Sequence, residues 1–304
     1  MLSLIIPLYN EENLVDELIA RCLAALQQAA DDFEIICVDD GSTDRTLEKL
    51  LAHHGRDGRV KVLVLSRNFG HQSAYTAGLT YAKGDCIAMM DGDLQDPPEL
   101  IPAMVAKLTA DNLDVVFGKR IQREEQWPKR QLIGLFHWLF QRVLRNQDIQ
   151  NSGNFSVFSR RVAQALLALQ EKNRYLPGLR FFVGFKQGYL EYRRPDRHDG
   201  AAKMNLKMLA RLAFDAFFSF TDLPLKVCLY TGILGAIIFF LALCITVTTK
   251  FLGLVPMGWS STVLSIFFFG SVQLVFIGIL GEYVYRIYRE TQNRPIFIVR
   301  EYIE

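Results

Sequence analysis

The sequence predicts an α/β domain built on a mostly parallel sheet, followed by a hairpin of two membrane-spanning helices. Three observations predict it. Short apolar runs alternate with helical periodicity over the first 120 or so residues. The segments after the first four apolar runs are polar, and three of them carry carboxylates. The C-terminal part holds two long stretches almost without charge.

Residues 2–7 are a short apolar run and read as a buried strand. Residues 11–30 follow with Leu14, Leu18, Ile19, Cys22 and Leu26 at helical spacing behind acidic first-turn residues. The alternation continues with a strand at 33–38, a helix at 43–53, a strand at 60–65 and a helix of small residues at 72–83. A strand at 86–90 precedes a helix opened by Pro97 and Pro98 and running to 109, and a fifth strand spans 114–118. Strand and helix repeated in this way imply a parallel sheet covered on both faces. Ligands of such sheets bind beyond the carboxyl ends of the strands.

Residues 227–249 contain no charged residue, and 261–285 contain only Glu282. As a helix the first stretch is roughly 34 Å long, enough for a hydrocarbon core of about 30 Å. Gly253, Pro256 and Gly258 mark the turn between them. Lys203, Lys207, Arg211 and Lys226 precede the first span, and Arg286, Arg289, Arg294 and Arg300 follow the second, whereas the connection has only Lys250. The positive-inside rule then places both flanks in the cytoplasm and the connection outside. Trp259, Tyr283, Tyr285 and Tyr288 suit the interface, and Glu282 reads as a headgroup-level residue or as a functional intramembrane carboxylate. The run 2–8 is too short and lacks the basic lead of a signal peptide. The expected organisation is a cytoplasmic catalytic domain at 1–205, a juxtamembrane amphipathic helix at 206–226, two spans within 227–285 and a cytoplasmic tail at 286–304, in the inner membrane. Residues 131–146 and 206–220 mix apolar and basic side chains, which suits helices lying in the interface or packed on the domain.

The chain has 304 residues, 34 Lys+Arg against 32 Asp+Glu and a net charge of +2, with half its residues hydrophobic. This excludes a disordered chain and gives no support to nucleic-acid binding. Five Cys without CxxC spacing argue against a disulfide framework or zinc site.

Four strand-end segments are expected to converge: Tyr9-Asn10-Glu11, Asp39-Asp40-Gly41-Ser42, Ser66-Arg67-Asn68 and Asp91-Gly92-Asp93. Asp91 and Asp93, with Gly between them, suit one hard divalent cation, Mg²⁺ or Mn²⁺, shared with substrate phosphates, and Gln95 adds a carbonyl or a hydrogen bond. Asp39 and Asp40 suit a nucleobase imide or ribose hydroxyls, while Ser42 or Thr43 caps the following helix. Arg67, Arg120, Arg123, Lys129 and Arg130 bring positive charge, and Arg120 directly follows the fifth strand. The chain lacks GxGxxG after its first strand, GxxxxGK[ST] and GxSxG, which weakens dinucleotide redox, P-loop and serine-hydrolase readings. His53, His54, His71, His137 and His198 show no metal-ligand spacing.

At these residues the chain resembles family 2 glycosyltransferases of the GT-A fold, and within them the polyprenyl-phosphate glycosyltransferases. That group contains dolichol-phosphate mannose synthase and bacterial undecaprenyl-phosphate glucosyl transferases. The matching motifs are Pro7-Leu8-Tyr9-Asn10-Glu11-Glu12, Val38 to Asp44, Arg67-Asn68-Phe69-Gly70 and Asp91 to Pro98, in order. The likeness continues through Arg174 to Arg180, Arg197-x-x-Gly200-x-x-Lys203 and Phe220-x-x-x-Pro224-Leu225, over essentially the whole chain. It implies a nucleotide sugar held by Pro7, Tyr9, Asn10, Glu11, Asp39, Asp40, Arg67 and Asp91, and a metal held by Asp91, Asp93 and Gln95. It further implies donor or lipid phosphates met by Arg120, Arg130, Arg197 and Lys203, with Asp93, Arg120 and Asn154 at the chemistry.

Two departures stand out. Where many members carry Asp-x-Gly-Asp-Phe-Arg, this chain has Asn151-Ser152-Gly153-Asn154-Phe155-Ser156, and Lys203 is followed by Met204. The first removes a proposed base. A lipid phosphate monoester, with a second pKa of about 6, is already dianionic near neutrality, so direct in-line attack on the sugar C1 with inversion needs none. The expected reaction is hexose transfer, with UDP-glucose first among donors, to undecaprenyl phosphate for envelope glycan modification. UDP-GlcNAc, UDP-galactose, GDP-mannose and a homo-oligomeric state stay open. A processive polysaccharide synthase lacks its QxxRW-like motif, and an inactive scaffold or nucleotide-sugar sensor is the remaining reading.

Overall fold

A computed structural model describes residues 1–120, 152–172, 174–192 and 259–304, with helical positions scattered between 230 and 248. It divides into two units, one of residues 1–135, 146–202 and 294–304, the other of residues 136–145 and 203–293.

The first unit is built on an eight-stranded sheet in the order β7-β5-β6-β4-β1-β2-β3-β8 among the described residues. Its strands are β1 (Leu2–Leu8), β2 (Phe33–Asp39), β3 (Val60–Leu65), β4 (Cys86–Met89), β5 (Val115–Arg120), β6 (Ser152–Ser159), β7 (Gln187–Tyr192) and β8 (Val299–Ile303). β1 pairs in parallel with β2 and β4, β2 with β3, and β5 with β7. β6 runs antiparallel between β4 and β5, and β8 runs antiparallel on the β3 edge. The expected mostly parallel sheet is therefore present. β1 and β2 are buried along their full length, which is why they read as predominantly apolar runs rather than alternating ones, with Ser3 donating to Glu34 inside the sheet at 2.6 Å.

Helices cover both faces. α1 (Val15–Ala29), α2 (Thr46–His54) and α4 (Ile101–Ala110) place Leu18, Ile19, Leu50 and Met104 in one core with Leu4, Ile6 and Ile35. α3 (His71–Tyr81), α5 (Arg160–Ala168) and α6 (Leu176–Phe182) place Tyr75, Leu79, Leu166 and Leu179 in the other with Ile5, Ile36 and Phe117. Truncating a fully buried Leu or Ile here to Ala is expected to cost about 2–5 kcal/mol.

Helix starts differ from the sequence expectation. α1 begins at Val15 and α2 at Thr46, several residues late, because the polar residues before them bond across to each other's loops. Pro98–Leu100 form a 3₁₀ turn, and α4 starts only at Ile101. The C-terminal residues, expected as a tail, form an edge strand. Ser66 N–H donates to Ile298 O at 2.9 Å, and Glu304 pairs with Lys61 and Lys83.

The second unit contains α7 (Trp259–Thr291). Its stretch Phe268–Thr291 is long and apolar enough to cross a membrane. Phe268, Leu274, Val275, Ile277 and Leu280 stand exposed along it. Glu282 accepts from Arg286 Nε at 2.8 Å, one turn on. The first expected span and the amphipathic segments 131–146 and 206–220 lie largely or wholly outside the described residues.

Candidate active site

Parallel register aligns the carboxyl ends of the central strands. Leu8 pairs with Asp39, and Asp39 with Val64, so the loops after β1, β2 and β3 leave the sheet side by side. Side chains then tie these loops together. Asn10, at φ 54°, donates its backbone N–H to Ser42 Oγ at 3.1 Å and accepts from the Thr43 N–H at 2.8 Å through Oδ1. Glu11 N–H donates to Thr46 Oγ1 at 2.9 Å, and Glu12 N–H to Asp44 Oδ2 at 3.2 Å. Asp40, buried, accepts from Phe69 N–H at 2.7 Å and Gly70 N–H at 2.9 Å, one on each oxygen. Gly41 has φ +72°, and a Cβ there would lie 2.7 Å from the backbone carbon of Arg67, so only glycine lets these two loops meet. Asp39 is also buried and accepts from Ser42 N–H at 3.3 Å. Burial pushes both carboxyl pKa values up.

Tyr9 is exposed at this rim, Pro7 is buried, and Arg67 is exposed, its guanidinium 4.3 Å over the Phe69 ring. The structure thus brings Pro7, Tyr9, Asn10, Glu11, Asp39, Asp40 and Arg67 to one edge, as the topology predicts.

The β4 loop is organised differently. Gly92 lets it approach β1, since a Cβ there would fall 2.5 Å from Leu8 Cδ2. Asp91 Oδ1 accepts from Tyr75 OH at 2.7 Å and Asn154 Nδ2 at 3.3 Å, and His71 Nε2 lies 3.1 Å away. Among the described residues no bond reaches Oδ2. Burial pushes the Asp91 carboxyl pKa up, but His71, Tyr75 and Asn154 outweigh it and hold it down at about 2. It is ionised throughout the physiological range. The same contact reverses the effect of burial on His71, whose pKa is raised. Asp93 accepts from Gln95 N–H at 3.2 Å through Oδ1, so both lie in the same turn.

Asn154 stands beside Asp91 because β6 continues past the last β4 pair, Met89–Ser156. Its Oδ1 is buried without a hydrogen-bond partner among the described residues. Below it, fully buried Arg180 donates to Gly153 O at 2.7 Å, to Asn154 O at 2.9 Å and to Ser156 Oγ.

Asp91 is an oxygen-only, ionised donor with one unused oxygen, two residues from a second carboxylate. That chemistry fits a hard divalent cation. Among the described residues no group of three His, Cys, Asp or Glu side chains converges, so a cation held here would need further oxygens, of the kind substrate phosphates supply.

Arg120 ends β5, and its side chain is not described; Arg130, Arg197 and Lys203 lie outside the described residues. His71, Tyr75 and Arg180 were not singled out by the sequence reasoning. The available signal was position: His71 directly follows the Arg67-Asn68-Phe69-Gly70 motif, Tyr75 lies one turn on, and Arg180 closes the segment Arg174 to Arg180.

Residues 3–167 match the family described as glycosyl transferase family 2. The chain belongs to glycosyl transferase family 2. An uncharacterized glycosyltransferase of Synechocystis sp. is 38% identical over 99% of this chain and 95% of its own length. The bactoprenol glucosyl transferase of Shigella phage SfII is 35% identical over 99% of this chain and 97% of its own. Among solved structures, glucosyl-3-phosphoglycerate synthase from Mycobacterium tuberculosis, in complex with Mn²⁺, UDP and glucosyl-3-phosphoglycerate, is similar with a TM-score of 0.51 at 17% identity, covering 70% of this chain and 76% of that one. This likeness concerns the fold, and it agrees with the family 2 sheet described above.

Proposed function

We propose that this family 2 enzyme transfers a hexose from a nucleotide sugar, UDP-glucose first, to a polyprenyl phosphate at the cytoplasmic face of the inner membrane, inverting the sugar C1. The observation that carries the reading is the 35% identity to a bactoprenol glucosyl transferase, which extends over 99% of this chain and so past the catalytic sheet through the apolar C-terminal helix. That helix pairs with a first span at 227–249 to anchor the chain, with both termini in the cytoplasm.

In this reading the nucleoside lies along the β1–β2–β3 edge, where Pro7, Tyr9, Asn10, Glu11, Asp39, Asp40 and Arg67 gather. Asp91, Asp93 and Gln95 hold Mg²⁺ or Mn²⁺ on the diphosphate, and Arg120, Arg130, Arg197 and Lys203 meet phosphates of donor or lipid. The cation, when bound, neutralises charge on the departing diphosphate.

The chain's own groups explain why no base is needed. Asn154 is an amide and takes no proton; it donates to Asp91. The acceptor phosphate, with a second pKa of about 6, arrives as a dianion near neutrality. One of its oxygens forms the bond to C1 as the C1–oxygen bond to the diphosphate breaks, giving hexosyl phosphoryl-lipid and UDP with no proton to remove. The enzyme's work is positioning and electrostatic stabilisation.

The test is incubation of the membrane-embedded protein with labelled nucleotide sugars, Mn²⁺ and undecaprenyl phosphate. Label from UDP-glucose in a short lipid extract is expected. Label in polymer supports a processive synthase, and no transfer from any donor supports an inactive sensor or scaffold.

A further inference from the structure

Arg180 has no evident place in the chemistry above, yet it is the largest fully buried side chain among the described residues. It forms no ion pair among the described residues, and burial pushes its pKa down only to about 10, so it stays charged. A cation stripped of water needs compensation from fixed dipoles. Arg180 finds it in the carbonyls of Gly153 and Asn154 and the Ser156 hydroxyl, with the Phe117 ring 5.2 Å from its guanidinium carbon.

Those partners have a common property. The β4 ladder ends at Met89–Ser156, so Gly153 and Asn154 extend beyond β4 with no strand on that side among the described residues. The β5 ladder is irregular there too, shifting between Phe117 and Lys119. Arg180 supplies the hold that the sheet does not. The side chain aimed from that segment is Asn154, whose amide donates to Asp91 Oδ1.

We propose that Arg180 is a positioning residue for the metal-binding carboxylate: by clamping Gly153 and Asn154 it fixes the Asn154 amide on Asp91 Oδ1 and leaves Oδ2 to the cation. The inference rests on the reading of Asp91 and Asp93 as metal ligands. It differs from a packing role, which would lower melting temperature and leave the metal affinity of the folded protein unchanged.

The experiment uses the full chain in detergent, saturated with UDP and without acceptor. Mn²⁺ is titrated in while the free ion is followed by electron paramagnetic resonance. Melting curves are recorded for each variant. Arg180→Met and Asn154→Ala are each expected to weaken Mn²⁺ binding roughly 10- to 100-fold, as loss of a group supporting a metal ligand does. The double variant is expected to bind no more weakly than the weaker single one. Arg180→Lys, which keeps the charge on one nitrogen, is expected to fall between wild type and Arg180→Met. It carries the test alone if Arg180→Met does not fold. Wild-type Mn²⁺ affinity in a folded Arg180 variant, or additive losses in the double variant, overturns the proposal. Failure of the wild-type protein to bind Mn²⁺ overturns the metal reading and this inference with it.

Discussion

On the β1–β2–β3 side of the sheet edge, Asp40 places both oxygens on the backbone N–H groups of Phe69 and Gly70. On the β4–β6 side, Asp91 receives Tyr75, Asn154 and His71 on a single oxygen. Both aspartates follow a parallel strand at the same carboxyl edge of the sheet, yet their surroundings move their pKa values in opposite directions. Asp40 spends its bonding capacity on joining two loops. Asp91 is braced from one side and keeps an oxygen in reserve. A strand-end carboxylate in this fold is therefore fixed as a strut, as Asp40 is, or left with a free oxygen, as Asp91 is, according to which donors surround it.

Substitution at the two positions should separate these roles. Asp91→Asn removes the ionised carboxylate proposed as a metal ligand and is expected to lower kcat by about a thousandfold, the equivalent of about 4 kcal/mol. It is also expected to lower the melting temperature at neutral pH, because the stabilisation drawn from His71, Tyr75 and Asn154 goes with the charge. Asp40→Asn keeps the shape but loses an acceptor for one backbone N–H. It is expected to cost about 1–3 kcal/mol of stability and to raise the KM for donor more than it lowers kcat. Calorimetry and steady-state kinetics on the pair check both; equal kinetic losses would erase the distinction.

Asn154→Asp is the next largest expected effect. It sets a second carboxylate where the amide lies 3.3 Å from Asp91 Oδ1, and like charges at that range disfavour ionisation of both. Activity at pH 7 is expected to fall about tenfold (a penalty of about 1.4 kcal/mol). A large rise in kcat would instead mean that a side-chain base limits the reaction. Thr43→Val, which removes a hydroxyl 3.3 Å from Asn10 Oδ1, is expected to matter least, at about 1 kcal/mol or below by thermal denaturation.

The pH dependence of stability carries the same contrast. The folded pKa of Asp91 is about 2 against about 3.9 unfolded. Its stabilising contribution is complete above about pH 4 and is lost as pH falls towards 2. The folded pKa of Asp40 is raised by burial. Its contribution has the opposite sign, with stability falling as pH rises through and above the unfolded value of about 3.9. Acid denaturation profiles should therefore lose part of their low-pH limb in Asp91→Asn but not in Asp40→Asn.

Much of the sheet was legible because β1 to β4 are largely buried on both faces and their residues are mostly apolar, with Ser3, Glu34 and Lys61 as isolated exceptions. The ends of α1 and α2 were less so. Asn10 to Leu14 and Ser42 to Arg45 resemble helix first turns, but long-range bonds between the loops hold them outside the helices. β8 hid behind a long apolar helix, and its pairing partner β3 is more than 200 residues earlier. At the site, Asp91 and Asp93 were readable from local spacing. His71, Tyr75 and Arg180 were not, since each reaches the Asp91 neighbourhood only through packing of α3 and α6 onto the sheet.

The most direct test of the account is the anomeric configuration of the lipid product made from UDP-α-glucose and undecaprenyl phosphate, read from the coupling of the sugar H1 by nuclear magnetic resonance. Direct attack by the phosphate dianion predicts a single β-linked glucosyl phosphoryl-lipid. An α-linked product, or glucose found only in a polymer, would contradict it.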